Sequence, residues 1–191
     1  MKIDILEEND KVLKFRLSDS NTTYANTLRR FAINSVETFA IDTVTFYENT
    51  SALFDEYIAH RIGLIPIYTP SKGYSEKDQI LFVLEGTGKK TVYSRDLKTA
   101  DKEVHVANPN IPIIKLDEGQ TIRLEGKAVL GTALKHAKFQ PGITTYEQLD
   151  ESTFEFYVES FGQMPPKEII NKALDKIRAS LDDTEKIVKK L

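Results

Sequence analysis

The amino-acid sequence predicts an α+β fold, in which an antiparallel sheet packs with helices and a β-rich insert interrupts the chain. Three stretches lead to this prediction. Residues 26–67 have the pattern of a helix, a strand and a second helix, ended by a proline. Residues 68–151 contain short alternating segments and many turns, and a long amphipathic helical pattern follows Pro166.

The N-terminal residues 1–17 predict a β-hairpin, with a first strand at residues 2–6 and a polar turn after it. In the second strand, the apolar side chains of Leu13, Phe15 and Leu17 alternate with charged residues. This period of two is typical of a strand that is buried on one face only.

A first helix follows the hairpin. Ser20, Asn21 and Thr22 are its candidate N-caps, because their side-chain oxygens can accept hydrogen bonds from the first free backbone N–H groups. Arg29 and Arg30 are predicted on its polar side. The opposite face carries residues at spacings of three and four, namely Tyr24, Leu28, Phe31, Ala32 and Ser35.

A strand from about residue 40 to 48 and a second helix from about residue 55 to 61 come next. The two acidic residues that begin this helix suit the positive end of its dipole. Gly63 can end the helix, and Pro66 cannot continue one.

The turn-rich residues 69–73 mark the predicted domain boundary. We predict a discontinuous domain made of residues 1–66 and 152–191, interrupted by an inserted β-rich domain of residues 67–151. Within the insert we expect three strands and an irregular loop, with the strands at residues 79–85, 90–95 and 121–130 and the loop at residues 131–142.

The last part of the chain predicts a strand at residues 153–161 and then a helix that begins at Pro165 and Pro166, where a missing backbone N–H costs least. The helix carries a mainly apolar stripe with a period of about 3.5 residues. Such a stripe indicates either packing on the chain's own sheet or a seam with a partner. Its members are Ile170, Leu174, Ile177, Leu181, Thr184, Val188 and Leu191.

The composition excludes several classes of protein. Hydrophobic residues make up 40% and charged residues 29% of the 191 residues, as in ordinary globular proteins. The sequence contains neither a run of about 18 apolar residues nor the apolar core of a signal peptide. We therefore expect a cytoplasmic protein without a membrane span.

The net charge of −3 shows no overall basic surplus, so we do not expect the chain to grip DNA by itself. The sequence has no cysteine. Disulfides, cysteine-bound zinc and iron–sulfur clusters are therefore excluded for this chain.

Residues 85–91 (EGTGKKT) partly match a phosphate-binding loop. That loop requires a glycine where Val83 stands and a serine or threonine where Lys90 stands, so we predict a hairpin turn here instead. The histidines at 60, 105 and 136 are far apart in sequence and do not form a helical pair of zinc ligands. We expect no catalytic residues, no metal and no cofactor in this chain.

Five motifs follow one another along the chain: NTLRR (residues 26–30), AID (40–42), ENTS (48–51), DEYIAHRIGLIPI (55–67) and LKHAKFQPG (134–142). In their order and spacing they resemble the alpha-like subunits of DNA-directed RNA polymerase, most closely the archaeal members of that family. Some of these bind an iron–sulfur cluster through cysteines, and this chain would be a cluster-free version.

The resemblance implies a non-catalytic assembly subunit with an alpha-subunit-like dimerisation domain. The NTLRR region and the last helix would pair with the smaller alpha-like partner, the L subunit. The pair would then dock the B, N and P subunits, and the loop at residues 134–142 would touch the second-largest subunit. DNA would be reached only through the complex, and no small-molecule substrate is implied.

The residues expected at partner interfaces come from these motifs and from the apolar stripe. They are Asn26, Thr27, Leu28, Arg29, Arg30, Phe31, His60, Arg61, His136, Lys138, Phe139, Ile170, Leu174, Ile177, Leu181 and Val188. Two alternatives stay open. One is a self-contained homodimeric binding protein whose last helix pairs with itself, and the other is a nucleotide-binding enzyme that uses residues 86–91.

Overall fold

A computed structural model describes residues 1–190 and shows the predicted mixture of helices and antiparallel strands. In the described part of the chain, the elements in order are β1 (Lys2–Glu8), β2 (Val12–Ser18), α1 (Thr22–Asn34), β3 (Thr38–Asn49), α2 (Asp55–Gly63), β4 (Gln79–Thr87), β5 (Lys90–Tyr93), β6 (Lys98–Thr99), β7 (Pro112–Leu116), β8 (Thr121–Gly131), β9 (Gly142–Gln148), β10 (Phe154–Ser160) and α3 (Pro166–Val188).

The chain forms two compact units, the first made of Met1–Glu37 and Thr132–Leu191 and the second of Thr38–Gly131. These bounds differ from the expected insert at residues 67–151. The reason lies in strand pairing. The whole of β3 pairs with β8, whereas β9 pairs with β10 and so belongs to the first unit.

The first unit contains a four-stranded sheet in the order β1-β2-β10-β9. The predicted alternation in β2 is confirmed, because Leu13, Phe15 and Leu17 are buried. They face apolar residues of β10, and the rings of Phe15 and Phe156 stack with their centroids 4.8 Å apart. α1 packs mainly against β9 and α3, and α3 also packs against β10 and β2. The core of this unit therefore lies between the sheet and the two helices.

Asn21 is the N-cap of α1, since its side-chain oxygen accepts a hydrogen bond of 2.9 Å from the backbone N–H of Tyr24. Ala25, Leu28 and Ala32 form the buried face of the helix. Tyr24 and Phe31 pack at the edge of that core. Ser35, predicted on the apolar face, is instead the C-cap residue.

α3 begins at Pro166, as predicted, and only its first half is covered by its own unit. Ile169, Ile170 and Ala173 are buried, and Leu174 and Ile177 pack partly against the core. All described residues from 178 onward are exposed. We call residues 178–188 the uncovered end of α3. Leu191, the last member of the predicted stripe, lies outside the described residues.

The second unit contains a four-stranded sheet, β3-β8-β4-β6, and a two-stranded sheet of β5 and β7. α2 packs against β3 and β7, and its Ile58 and Ile62 join a core with Phe39 and Phe82. The prediction of a hairpin turn at residues 85–91 is wrong. β4 pairs with β8 and β6, and β5 pairs with β7, so the turn links strands of two different sheets.

Within residues 1–190, none of the helices combines the length and the apolar character needed to cross a membrane.

Candidate subunit interface

The predicted interface residues fall into three groups. Those of α1, α3 and the loop that joins β8 to β9 lie in the first unit, whereas His60 and Arg61 lie on α2 in the second. Each group is described within its own unit.

Three of the predicted residues are packing residues of their own unit. The side chains of Leu28, Phe139 and Ile170 are buried within the chain. Since a buried side chain cannot also form the surface that meets a partner, we correct the assignment of these three. The other predicted residues are half-buried or exposed, and for them a role at an interface stays a prediction.

The uncovered end of α3 leaves large apolar side chains exposed on the first unit. Leu181, Ile187 and Val188 are exposed to 65%, 64% and 60%. The segment extends about 15 Å along the helix axis. Ion pairs within the helix, such as Lys186 with Asp183 at 2.9 Å and Lys189 with Glu185 at 2.6 Å, support its helical form without covering the apolar side chains.

An ion pair fixes α3 near the end of α1. Lys176 Nζ lies 2.6 Å from Glu37 Oε1, and both side chains are partly buried. Lys172, one turn earlier, is half-buried. Loss of hydration lowers the pKa of its ammonium group, and the nearby Glu168 and Glu37 oppose this effect. The ion pair therefore ties α3 to the segment that follows α1.

On the outer side of α1, Asn26 Oδ1 accepts hydrogen bonds from Arg29 Nε at 3.2 Å and Nη2 at 2.9 Å. This contact lays the Arg29 guanidinium along the helix. Arg30 is exposed and borders a shallow groove of about 370 Å³. The groove is lined by Thr27, Arg30, Phe31, Asn34, Ser35 and Leu134.

The loop between β8 and β9 contains a short 3-10 helix, Ala137–Phe139. His136 caps it, since its Nδ1 accepts a hydrogen bond of 3.0 Å from the backbone N–H of Lys138. The ammonium groups of Lys135 and Lys138 lie 5.5 and 5.3 Å from the ring centroid of Phe139. The buried ring thus orders the loop and holds its cations at the surface.

In the second unit, His60 is exposed but Arg61 has a structural role. Its Nε donates to the carbonyl oxygen of Ile113 at 2.9 Å, and its Nη2 donates to that of Pro112 at 2.6 Å. Sequence reasoning missed the exposed apolar side chains of Phe54, Tyr57 and Leu64 at and around α2. Their spacing of three and seven residues places them on one side of the helix, and this pattern was the signal that could have found them.

No group of three or more metal-binding side chains comes together among the described residues. The expectation that the chain works without a cofactor stays a prediction. The surface features of the described residues are an uncovered helix end, a basic loop capped by His136 and exposed apolar side chains at α2.

Comparison with known proteins identifies the family. A family model described as "RNA polymerase Rpb3/RpoA insert domain" matches residues 41–147. The chain is 47% identical to "DNA-directed RNA polymerase subunit Rpo3" of Methanocaldococcus jannaschii over 152 residues, which cover 80% of this chain and 78% of that protein.

Two further relatives carry the same name. The protein of Thermococcus kodakarensis is 46% identical over 78% of this chain and 60% of its own length. The protein of Halobacterium salinarum is 30% identical over 97% of this chain and 96% of its own length. The chain therefore belongs to the Rpo3 family, the archaeal alpha-like subunits of DNA-directed RNA polymerase.

Proposed function

We propose that this chain acts as a non-catalytic assembly subunit of the polymerase. In this role it pairs with the smaller alpha-like partner, the L subunit, and the pair presents the surface on which the B, N and P subunits assemble. The mechanism is geometric, since the chain contributes positioned surfaces and leaves the chemistry to the catalytic subunits.

The observation that carries the proposal is the uncovered end of α3. A water-exposed helix segment with Leu181, Ile187 and Val188 on its surface has apolar area to bury, and such area marks protein interaction sites. Burial of each side chain would stabilise a complex by at most roughly 1.5–3 kcal/mol. The motif-bearing helix α1 packs against α3 in the same unit, so the two helices predicted to form the seam lie together.

Two other surfaces support docking of further subunits. The loop capped by His136 carries the basic side chains of Lys135 and Lys138. In the second unit, Phe54, Tyr57 and Leu64 form an apolar surface at α2. Both lie within motifs that led to the resemblance, the first in LKHAKFQPG and the second largely in DEYIAHRIGLIPI.

Analytical ultracentrifugation tests the pairing. We expect the isolated chain to self-associate weakly or aggregate, and to form a stable one-to-one pair when the L subunit is added. A well-behaved monomer that is indifferent to the L subunit would contradict the proposal. A tight, defined dimer of the chain alone would instead support the homodimeric alternative.

A further inference from the structure

The short helix α2 of the second unit depends on its surroundings for its form. It has nine residues, and a helix of this length is marginal in water by itself. Within the described chain, its N-cap residue Phe54 makes no capping hydrogen bond through its side chain. Ile58 and Ile62 bury the inner face of the helix in the core. Polar contacts with other elements hold its two ends.

Asn49, the last residue of β3, holds the start of α2. Its side-chain oxygen accepts hydrogen bonds from the backbone N–H of Ser51 at 3.1 Å and from the Ser51 hydroxyl at 2.6 Å. Its amide nitrogen donates to the carbonyl oxygen of Leu53 at 2.9 Å and to Oδ1 of Asp55 at 2.7 Å. A carboxamide has two donor hydrogens and two acceptor lone pairs, so this network uses all four positions. Asp55 is the first residue of α2, and the network therefore ends on the helix.

Asn49 is itself fixed to the sheet of the second unit. In the ladder of β3 and β8 it lies opposite Ile122. The backbone N–H of Thr50 donates to the carbonyl oxygen of Thr121 at 2.9 Å, and the Thr50 hydroxyl accepts the backbone N–H of Thr121 at 2.7 Å. The side chain of Asn49 thus connects the start of α2 to a backbone position that β8 holds.

Arg61 holds the other end of α2. Its Nε donates to the carbonyl oxygen of Ile113 at 2.9 Å, and its Nη2 donates to that of Pro112 at 2.6 Å. Both carbonyl groups belong to β7. The guanidinium group is planar and keeps its donors in a fixed geometry, so two such contacts also set the direction of the side chain. We call the contacts of Asn49 and those of Arg61 the two clamps of α2.

We propose that Asn49 and Arg61 are positioning residues, which hold α2 in place before any partner binds. The exposed apolar side chains at α2 then form a preformed docking surface, and a preformed surface loses less conformational entropy on binding. The docking role of this surface rests on the proposed function. The two clamps are a property of the chain alone and are tested on it alone.

The clamp at Asn49 can be broken and then restored by charge. Asn49→Asp replaces the amide nitrogen by a carboxylate oxygen, which faces the carboxylate of Asp55 with no donor between them. Two like charges at this distance repel each other. Asp55→Asn in the same chain supplies the donor from the other side. The contact then forms again with its direction reversed.

Hydrogen exchange of the full chain, followed by mass spectrometry, measures the hold on α2. In the Asn49→Asp chain we expect the amides of residues 57–64 to exchange at least about tenfold faster, whereas those of β4 and β8 change by less than about twofold. Adding Asp55→Asn should return the rate in α2 to within about threefold of the unmodified chain. Ala52→Asp is the matched control, because it adds the same charge at an exposed position of the same loop, and it should leave the rate unchanged.

Three results would overturn the role of Asn49. The first is unchanged exchange of α2 in the Asn49→Asp chain. The second is equal acceleration in α2, β4 and β8, which would show that Asn49 stabilises the whole unit and does not position the helix. The third is a failure of Asp55→Asn to restore the rate, which would show that the contact between these two side chains does not hold α2.

Removal of both clamps tests the docking role. Arg61→Met deletes the donors of the second clamp and keeps an unbranched side chain. Combined with Asn49→Asp, it should leave α2 in place in only a minority of chains, and apparent affinity falls with the fraction of competent chains. We expect the chain concentration for half-maximal assembly with the remaining subunits of the polymerase to rise at least about fivefold.

The outcomes of the two experiments are separable. If α2 loses its protection and assembly is unchanged, the clamps stand and the docking role of α2 is wrong. If the unmodified chain does not assemble with the remaining subunits, the proposed function fails, and the exchange rates still decide whether the clamps exist.

Discussion

Gly142 begins β9 at a point where the chain passes very close to β10. A methyl group on its Cα would collide with the backbone carbonyl oxygen of Glu159. Backbone cannot move aside as a flexible side chain can. Position 142 therefore requires glycine, because there is no room for a side chain next to the backbone of β10.

We predict that Gly142→Ala lowers the free energy of unfolding by about 1–3 kcal/mol, the usual cost of forcing extra atoms into a packed site. Urea denaturation measures the change. Ile143→Ala is the matched control, since Ile143 is the next residue and is exposed. Equal midpoints for the two variants would contradict the prediction.

Tyr74 and Asp101 join two loops of the second unit. The Tyr74 hydroxyl lies 3.0 Å from both carboxylate oxygens of Asp101, and Asp101 also accepts the backbone N–H groups of Glu103 and Val104 at 2.8 Å each. Burial, followed by the hydrogen bond to Asp101, raises the pKa of Tyr74 to about 12. The Val104 N–H contributes most to lowering the pKa of Asp101, and burial opposes it.

The shifted pKa values of Tyr74 and Asp101 predict that their contribution to the free energy of unfolding is greatest between the acid and alkaline extremes of pH. A lowered carboxyl pKa contributes stability above its ordinary value of 3.8, and the contribution is lost as the pH falls through the lowered pKa. A raised phenol pKa contributes stability below its ordinary value of 10.0, and the contribution is lost as the pH rises toward about 12.

Tyr74→Phe should cost about 1–2 kcal/mol at neutral pH, because a hydrogen bond to a charged group is removed. The ring contact with Phe39, at 5.4 Å between centroids, is retained. Thermal unfolding at several pH values should show the difference from the unmodified chain shrinking above pH 10. A pH-independent difference would show that packing, and not the hydroxyl, is responsible.

At the scale of elements, α3 has two halves with different surroundings. Its first half packs on its own sheet, and its second half is exposed. The apolar period of the sequence predicted the helix and its stripe. The apolar period could not show at which residue the packing of α3 on its own unit ends. That point depends on the width of the sheet and on the position of α1. Packing on the chain's own sheet therefore applies to the first half of the stripe, and a seam with a partner stays a prediction for the second half.

We predict that Leu181→Asp weakens pairing with the L subunit at least about tenfold, because a charge would be placed in an apolar seam. Ala179→Asp is the control, since residue 179 is also exposed but lies on the opposite side of the helix. Sedimentation of each mixture measures the affinity. Unfolding midpoints should be nearly unchanged for both variants, and equal affinities would argue against the seam.

At the scale of the whole molecule, the sequence predicted an interrupted α+β chain but placed the boundaries too late. The first boundary was predicted at the turn-rich residues near 70. The boundary between the two units instead falls at the start of β3, where the amino-acid composition does not change. β9 was not predicted from the sequence. This strand pairs with β10, and the pairing register between strands cannot be deduced from the local sequence. The candidate site shows the same limit, since the motifs located α1, α2 and the loop but not which of their side chains are buried.

The second unit begins and ends at paired residues, because Thr38 lies opposite Gly131 in the ladder of β3 and β8. Opposed Cα atoms in such a ladder are about 5 Å apart. We predict that a chain in which a short glycine linker replaces residues 38–131 keeps the fold of the first unit and pairs with the L subunit. It should fail to assemble with the rest of the polymerase. Gel filtration against the L subunit and against the assembled enzyme measures both properties, and loss of pairing would contradict the prediction.

Because the second unit interrupts the first, the strands of the first unit are synthesised at widely separated times. The hairpin of β1 and β2 leaves the ribosome early, yet β10, which must lie beside β2, ends at Ser160. Roughly 120 further residues follow Glu37 before that strand is complete, which takes roughly 6–25 s at ordinary translation rates. During that interval Leu13, Phe15 and Leu17 have no partner strand on that side. We expect slow codons between positions 38 and 131 to lengthen the time for which these apolar side chains stay exposed on the nascent chain.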